Sequence, residues 1–170
     1  MLNNRELKEK LAKDSVMKVS SRHELEKQFK SIEVSKEPAG LLFIDIDNFK
    51  EVNDEFGHGV GDKVLELVGE RIINQVSKDI LVGRWGGDEI LVVFPKLEDA
   101  LVLEERANEI RNTIKSKPFK MGDAVLLSRT LSIGAAIKEA GETTKDWLKR
   151  ADASLYEAKE TGRDKVVMAK

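Results

Sequence analysis

Apolar positions along this chain follow two rhythms, and the places where one gives way to the other mark its elements. Leu41-Leu42-Phe43-Ile44 is a continuous apolar run that closes in Asp45-Ile46-Asp47, the pattern of a buried strand ending in carboxylates. Ile80 to Val82 and Ile90 to Phe94 are rich in β-branched and aromatic residues and read as paired strands, with Gly86-Gly87 as the hairpin turn. Val125 to Leu127 and Thr130 to Ile137 alternate as strand, and Val166 to Met168 makes a last short one.

Between these runs the period lengthens to that of a helix. Ser20 or Ser21 can cap a helix with Glu24 supporting a capping box and Leu25, Phe29 and Ile32 as its inner stripe. Pro38-Ala39-Gly40 breaks it before the first strand. Asn48 to Phe56 turns helical and Gly57-His58-Gly59 ends the turn. Asp62 opens a longer helix carrying Val64, Leu65, Leu67, Val68, Ile72, Ile73 and Val76. Leu97 to Ile114 is bounded by Pro95 and Pro118, and Asp146 to Lys159 points Trp147, Leu148, Ala151, Leu155 and Ala158 inward before Gly162 ends it. Strand, helices, hairpin, helix, strand, helix predicts one α+β domain with helices over a largely antiparallel sheet. A short amphipathic helix over residues 3–13, with Leu7 and Leu11 at i,i+4 spacing, precedes that domain, which spans 14–170. It is too short for a coiled coil.

Composition narrows the function classes. The 170 residues suit one domain with a real core, and 41% hydrophobic with 35% charged residues is a globular profile. A net charge of −2 without a basic face argues against a nucleic-acid backbone binder, but leaves room for a local phosphate pocket. The absence of cysteine excludes disulfides, thiolate metal sites and cysteine nucleophiles. Only His23 and His58 are present, which speaks against a histidine-rich zinc site. No apolar run reaches the roughly 18 residues of a membrane span, and Met1-Leu2-Asn3-Asn4-Arg5-Glu6 has no signal-peptide core, so a cytoplasmic location is expected.

The candidate chemistry lies at the strand ends. Asp88 and Glu89 stand where a strand re-enters the sheet, a costly place for charge unless a cation or hydrogen bonds offset it. If the strand ending in Asp45 is its neighbour, Asp45 and Asp88 or Glu89 can converge on one hard cation, since Mg²⁺ favours one or two carboxylates plus substrate phosphates. The plainer alternative is a solvated hairpin tip with acidic neighbours.

Gly86-Gly87-Asp88-Glu89-Ile90 resembles the motif that names the GGDEF family of diguanylate cyclases. Phe43 to Asp54 is similar to that family's DxDxFKxxND stretch, Gly57 to Asp62 to its GHxxGD, and Ala151-Asp152 through Gly162-Arg163 to its closing RADxALYxAKxxGRN. The resemblance implies a ferredoxin-like palm domain of the nucleotidyl-cyclase and polymerase type. It implies condensation of two GTP into cyclic di-GMP with release of pyrophosphate, each 3′-hydroxyl attacking the α-phosphate of the other nucleotide across a weak homodimer. Mg²⁺ (or Mn²⁺) would be held by Asp45, Asp88, Glu89 and the carbonyl of Ile46. Glu89 would also favour deprotonation of the 3′-hydroxyl. Gly86 and Gly87 would let the nucleotide approach the turn backbone, and the amides of Asn48 and Phe49 with the Lys50 ammonium would face phosphate oxygens. Lys159 and Arg163 would reach the same phosphates. Asn53 and Asp62 would read guanine, although Asp62 also suits a helix N-cap. Arg84 is expected to pair with an acid in the hairpin, His58 to order its loop, and Tyr156 to join the core.

Four departures from the family pattern carry expectations of their own. Ile90 replaces phenylalanine, a change of packing more than of chemistry. Asp164 replaces asparagine after Gly162-Arg163 and adds negative charge near the phosphate end. The RxxD feedback motif falls on Ser77 and Ile80, so no product-inhibition site is expected there. The opening DxLTGLxNRR is degraded to Asp14-Ser15-Val16-Met17-Lys18-Val19-Ser20-Ser21-Arg22, which bears on how the domain attaches to a signalling helix. Two other readings remain open: a minimal standalone cyclase akin to CRISPR polymerases making another cyclic dinucleotide, and a nucleotide-binding signalling domain without chemistry.

Overall fold

The computed structural model describes residues 11–123 and 125–170. The helix expected over residues 3–13 therefore lies almost wholly outside the described residues. In chain order the elements are α1 (Arg22–Ser35), β1 (Ala39–Ile46), α2 (Phe49–Phe56), α3 (His58–Ile73), β2 (Leu81–Gly86), β3 (Glu89–Pro95), α4 (Ala100–Lys115), β4 (Phe119–Met121), β5 (Val125–Leu127), β6 (Leu131–Ile137), α5 (Thr144–Glu160) and β7 (Val166–Met168). Five strands form the main sheet in the order β2-β3-β1-β6-β7, antiparallel except for the parallel pair β6–β7. The chain is thus the expected α+β, ferredoxin-like arrangement. The short ribbon β4–β5 stands apart, and its first strand escaped the sequence reading because Phe119-Lys120-Met121, though alternating, is too short to stand out as a strand.

The strand period of two divides the core. Leu42, Ile44 and Ile46 of β1 join Ile90, Val92 and Phe94 of β3 against Val64, Val68 and Ile72 of α3 and Leu103, Ala107 and Ile110 of α4. Leu41 and Phe43 face the other way, with Leu91 and Val93, onto Leu25 and Phe29 of α1 and Trp147, Ala151 and Leu155 of α5. That second face is where Asp45 belongs by parity, and it decides which helix the carboxylate meets. Trp147 is fully buried and its indole Nε1 donates to the Ala136 carbonyl of β6 at 3.0 Å, so no polar atom of the ring is stranded.

Helix α5 lies on β6 through Gly134. A Cβ there would come within 2.0 Å of the Ala151 carbonyl oxygen and 2.3 Å of the Leu155 nitrogen, both backbone atoms that cannot turn aside. Gly134→Ala is expected to destabilise the domain by roughly 3 kcal/mol or more, read as a lower urea midpoint at unchanged slope. A midpoint within experimental error of the parent would mean that α5 can lift from the sheet at little cost.

Several boundaries differ from the sequence expectation. Ser21 is the α1 N-cap and accepts from the Glu24 amide at 3.4 Å, but its own amide donates to Ala12, so the reciprocal half of a capping box is not made. One residue, Gly57 (φ +84°), both ends α2 and starts α3. Its left-handed backbone lets the second helix begin at His58, and Asp62 therefore sits inside α3 rather than capping it. Tyr156 is 67% exposed, contrary to the core position expected of it. Trp147, Ala151, Leu155 and Ala158 already occupy the inner stripe of α5 and leave Tyr156 about 100° away from it.

Candidate active site

The C-terminal end of β1 and the β2–β3 turn meet because β1 pairs with β3 in antiparallel register, placing Asp45 directly opposite Glu89. The turn itself is Gly87-Asp88, one residue later than expected: Gly86 still belongs to β2 and pairs with Glu89, and a register shift between Arg84 and Gly86 absorbs Trp85 as a bulge. Gly87 takes φ +53°, and a Cβ at Gly86 or Gly87 would meet nothing within 4 Å, so the outer side of the turn is open.

A cleft of about 500 Å³ opens at this point. Three carboxylates line it, Asp45 and Asp88 at the strand ends with Ile46 beside them, and Asp62 farther along. Asn48, Phe49, Lys50 and Asn53 contribute from α2 and its lead-in, Asp62 from α3, and Lys159 and Arg163 from the end of α5. Gly87 completes the turn side. Asn48 adopts φ +55° and makes no side-chain cap bond, so the first amides of α2 open toward the cleft without a competing side chain. Asn53 is seated against Gly61: a Cβ on that glycine would lie 1.9 Å from Asn53 Oδ1.

Two residues assigned to this site by sequence stand apart from the cleft lining. Gly86 lies behind the turn, and Glu89 lines a neighbouring hollow with Phe29, Phe43, Trp85 and Asp152. Others were missed, among them His58 and Leu65, which also line the cleft. Arg84 reaches the cleft, where its Nε donates to the Gly87 carbonyl at 2.8 Å and its Nη1 to Asp14 at 3.3 Å, bracing the turn against the segment before α1. The expected partner was an acid within the hairpin; Asp14 lies 70 residues upstream, a distance no local pattern signals. Asp47 is 4% exposed and accepts from Thr130 Oγ1 and Ser132 Oγ, each at 2.6 Å, and from the Asp164 amide at 3.1 Å. Its signal was a carboxylate closing an apolar run, read only for the neighbouring Asp45.

The charges are arranged under tension. Burial, and then the Asp88 carboxylate, push the Asp45 carboxyl up to about 6, although Lys159 Nζ donates to Asp45 Oδ2 at 3.0 Å and pulls the other way. Burial also raises Glu89, followed by the charges of Asp45 and Asp152, with Lys159 and Arg22 opposing. Asp164 does not bring free charge to the phosphate side. Burial raises its carboxyl, but Lys115 and Arg111 outweigh that and hold it below the usual range, with Nζ of Lys115 at 2.5 Å and Nη1 of Arg111 at 2.6 Å. Ile90 is fully buried in the core between β1 and β2, where its effect is one of packing.

Among the described residues no three His, Asp or Glu side chains converge on a point where a metal ion could sit. The pair Asp45–Asp88 nevertheless fits Mg²⁺, which takes one or two carboxylates and completes its shell with phosphate and water. Asp45, whose carboxyl is pushed up by burial and by the neighbouring Asp88 charge, is relieved by a cation.

Residues 14–165 match the family model described as "Diguanylate cyclase, GGDEF domain". The chain belongs to the GGDEF diguanylate cyclase family. It is 39% identical over 148 residues to the response regulator PleD of Caulobacter vibrioides, covering 85% of this chain and 32% of that protein. To the diguanylate cyclase DgcM of Escherichia coli K12 it is 39% identical over 131 residues, 76% of this chain and 30% of that one. The chain thus spans about a third of the length of the curated relatives it matches. Among solved structures, the coiled coil and GGDEF domain of DgcB from Caulobacter crescentus, in complex with c-di-GMP, superposes with a TM-score of 0.90 at 28% identity, covering 97% of this chain and 89% of that one. The diguanylate cyclase SiaD of Pseudomonas aeruginosa, in complex with its activator SiaC, gives 0.86 at 33% identity, with 96% and 64% covered. Among the described residues of this GGDEF domain no helix is long and apolar enough to cross a membrane.

Proposed function

We propose that this GGDEF domain condenses two GTP into cyclic di-GMP, releasing two pyrophosphates. The observation that carries the reading is the single cleft holding Asp45 and Asp88 together with Lys50, Lys159 and Arg163, carboxylates for a metal beside cations for a triphosphate. Family membership supports the same chemistry. The cleft is of a size for one nucleotide, so a second copy of the domain supplies the other, and the working enzyme is a transient homodimer. GTP as substrate also places the reaction in the cytoplasm.

In each half-reaction the 3′-oxygen of one nucleotide forms a bond to the α-phosphorus of the other. The bond from that phosphorus to the β-bridging oxygen breaks, and pyrophosphate carries away the electron pair. Lys50, the opening amides of α2 and the guanidinium of Arg163 bind phosphate oxygens and hold them in line. Asp45, Asp88 and the Ile46 carbonyl would hold Mg²⁺ (or Mn²⁺), which supplies charge neutralisation at the triphosphate and acidifies the hydroxyl. Lys159, whose ammonium serves as the Asp45 counter-charge, would be free to bind phosphate if a cation took over that carboxylate. Glu89, directly across the ladder from Asp45 and raised in pKa by burial, lines the neighbouring hollow, and a turn of its side chain into the cleft would let it take the hydroxyl proton or join the metal.

Asn53 and Asp62 read the base. The Asp62 carboxylate accepts from guanine N1–H and N2–H, whereas adenine leaves it facing an acceptor. Binding of 3′-deoxy-GTP and 3′-deoxy-ATP, which lack the nucleophile, tests this at equilibrium. Asp62→Ala is expected to reduce the preference for guanine by about 10- to 100-fold. An unchanged preference would remove Asp62 from base recognition.

A further inference from the structure

Three consecutive residues after α5 hold a left-handed backbone: Gly162, Arg163 and Asp164, with φ of +115°, +60° and +46°. Only the first is a glycine, and such a conformation does not persist in side-chain-bearing residues unless the surroundings impose it. From this turn Arg163 enters the cleft.

The Arg163 amide donates locally to the Ala158 carbonyl of α5 at 2.9 Å, and further bonds hold the turn from two directions. From the sheet, buried Asp47 accepts the Asp164 amide at 3.1 Å, and Asp47 is itself fixed by the hydroxyls of Thr130 and Ser132. From α4, Arg111 Nη1 donates to the Asp164 carbonyl at 3.2 Å and to its Oδ1 at 2.6 Å, while Lys115 Nζ holds Oδ2 at 2.5 Å. Asp47 stands two residues beyond Asp45, so one rigid strand end carries both the candidate metal carboxylate and the acceptor that anchors the arginine turn.

We infer that Asp47, Asp164 and Arg111 form a clamp that positions Arg163 for the nucleotide triphosphate, setting its distance from the carboxylates of Asp45 and Asp88. None of the three touches substrate; each acts through the turn. The Asp164 substitution noted in the sequence is then matched by Arg111 and Lys115 on α4, and its charge is spent on the clamp instead of repelling phosphate. The inference rests on the proposed role of Arg163 as a phosphate ligand.

A binding cycle separates the two. With 3′-deoxy-GTP and Mg²⁺ as the probe, Arg163→Ala is expected to weaken binding at least tenfold. Arg111→Met, which keeps the packed stem, is expected to weaken it about five- to tenfold, and the double variant no further than Arg163→Ala alone. At saturating GTP the turnover of Arg111→Met stays within about threefold of the parent, because the clamp acts on binding and not on the reacting atoms. Asp164→Asn, which keeps the side-chain shape and tolerates the left-handed backbone while removing the charge that Arg111 and Lys115 hold, repeats the test should Arg111→Met melt early. Additive losses in the double variant, or parental affinity in both Arg111→Met and Asp164→Asn, would overturn the clamp. Parental affinity in Arg163→Ala would overturn instead the phosphate role on which it rests.

Discussion

Asp88→Ala is expected to lose at least about a thousandfold in cyclic di-GMP synthesis while remaining fully folded. Asp88 sits in the hairpin turn with open space on its outer side, so its removal leaves no cavity in the core and breaks no strand pairing. What it removes is half of the carboxylate pair proposed to hold the cation against the triphosphate. It also relieves Asp45, whose raised pKa is owed in part to the Asp88 charge. The melting temperature should therefore stay level or rise as activity disappears. Steady-state rates of product formation alongside thermal melts check both halves, and appreciable turnover in a folded Asp88→Ala protein would take the metal assignment with it.

Asp45→Asn separates function from stability even more sharply. The folded-state pKa of Asp45 is about 6 against an ordinary 3.8, so between those two values the folded protein binds a proton that the unfolded chain has released. Stability is then greatest below about pH 4 for this group and falls as pH rises through 6. Asparagine carries no such charge at any pH. At pH 8 the variant is expected to exceed the parent by about 1–3 kcal/mol, and the difference should shrink toward zero as pH falls to about 4. Lys159 can keep its hydrogen bond to the amide oxygen, so the variant loses little by the change. Activity should nevertheless be abolished, and Mg²⁺ with 3′-deoxy-GTP should stabilise the parent far more than the variant. Denaturant midpoints across pH decide the matter: a variant less stable than the parent at pH 8 would mean that Lys159 already neutralises Asp45 in full. A strained carboxylate at the site of chemistry is the expected trade of stability for function.

Much of this architecture was readable from pattern alone, and the exceptions share a physical cause. The α5 stripe could be placed because it repeats at the helical period, and β1 and the short β7 because each carries an unbroken apolar run. The hairpin turn came one residue late because Trp85 bulges out of the ladder, and a bulge leaves no trace in alternation. Asp62 looked like a helix start because an acid before apolar residues usually is one; Gly57 moved that start back to His58. Within the site, the strand ends pointed to Asp45 and Asp88 and the family resemblance added Lys50, Lys159 and Arg163, and the fold brings all of them to one cleft. What spacing could not supply were partners distant in sequence. Arg84 meets Asp14 across 70 residues, and Asp164 meets Lys115 and Arg111 across 49 and 53. The fate of the Asp164 charge depended on those meetings, and so did the role of Asp47.

The central claim is the reaction itself, and the most direct measurement is product identity. The purified chain, at concentrations high enough to populate a weak dimer, is incubated with Mg²⁺ and each nucleoside triphosphate singly and in mixtures, and the products are identified by mass and nuclease sensitivity. The account predicts cyclic di-GMP from GTP alone, with two pyrophosphates for each molecule formed. An adenine-containing product, or GTP bound with no product at any protein concentration, would contradict it.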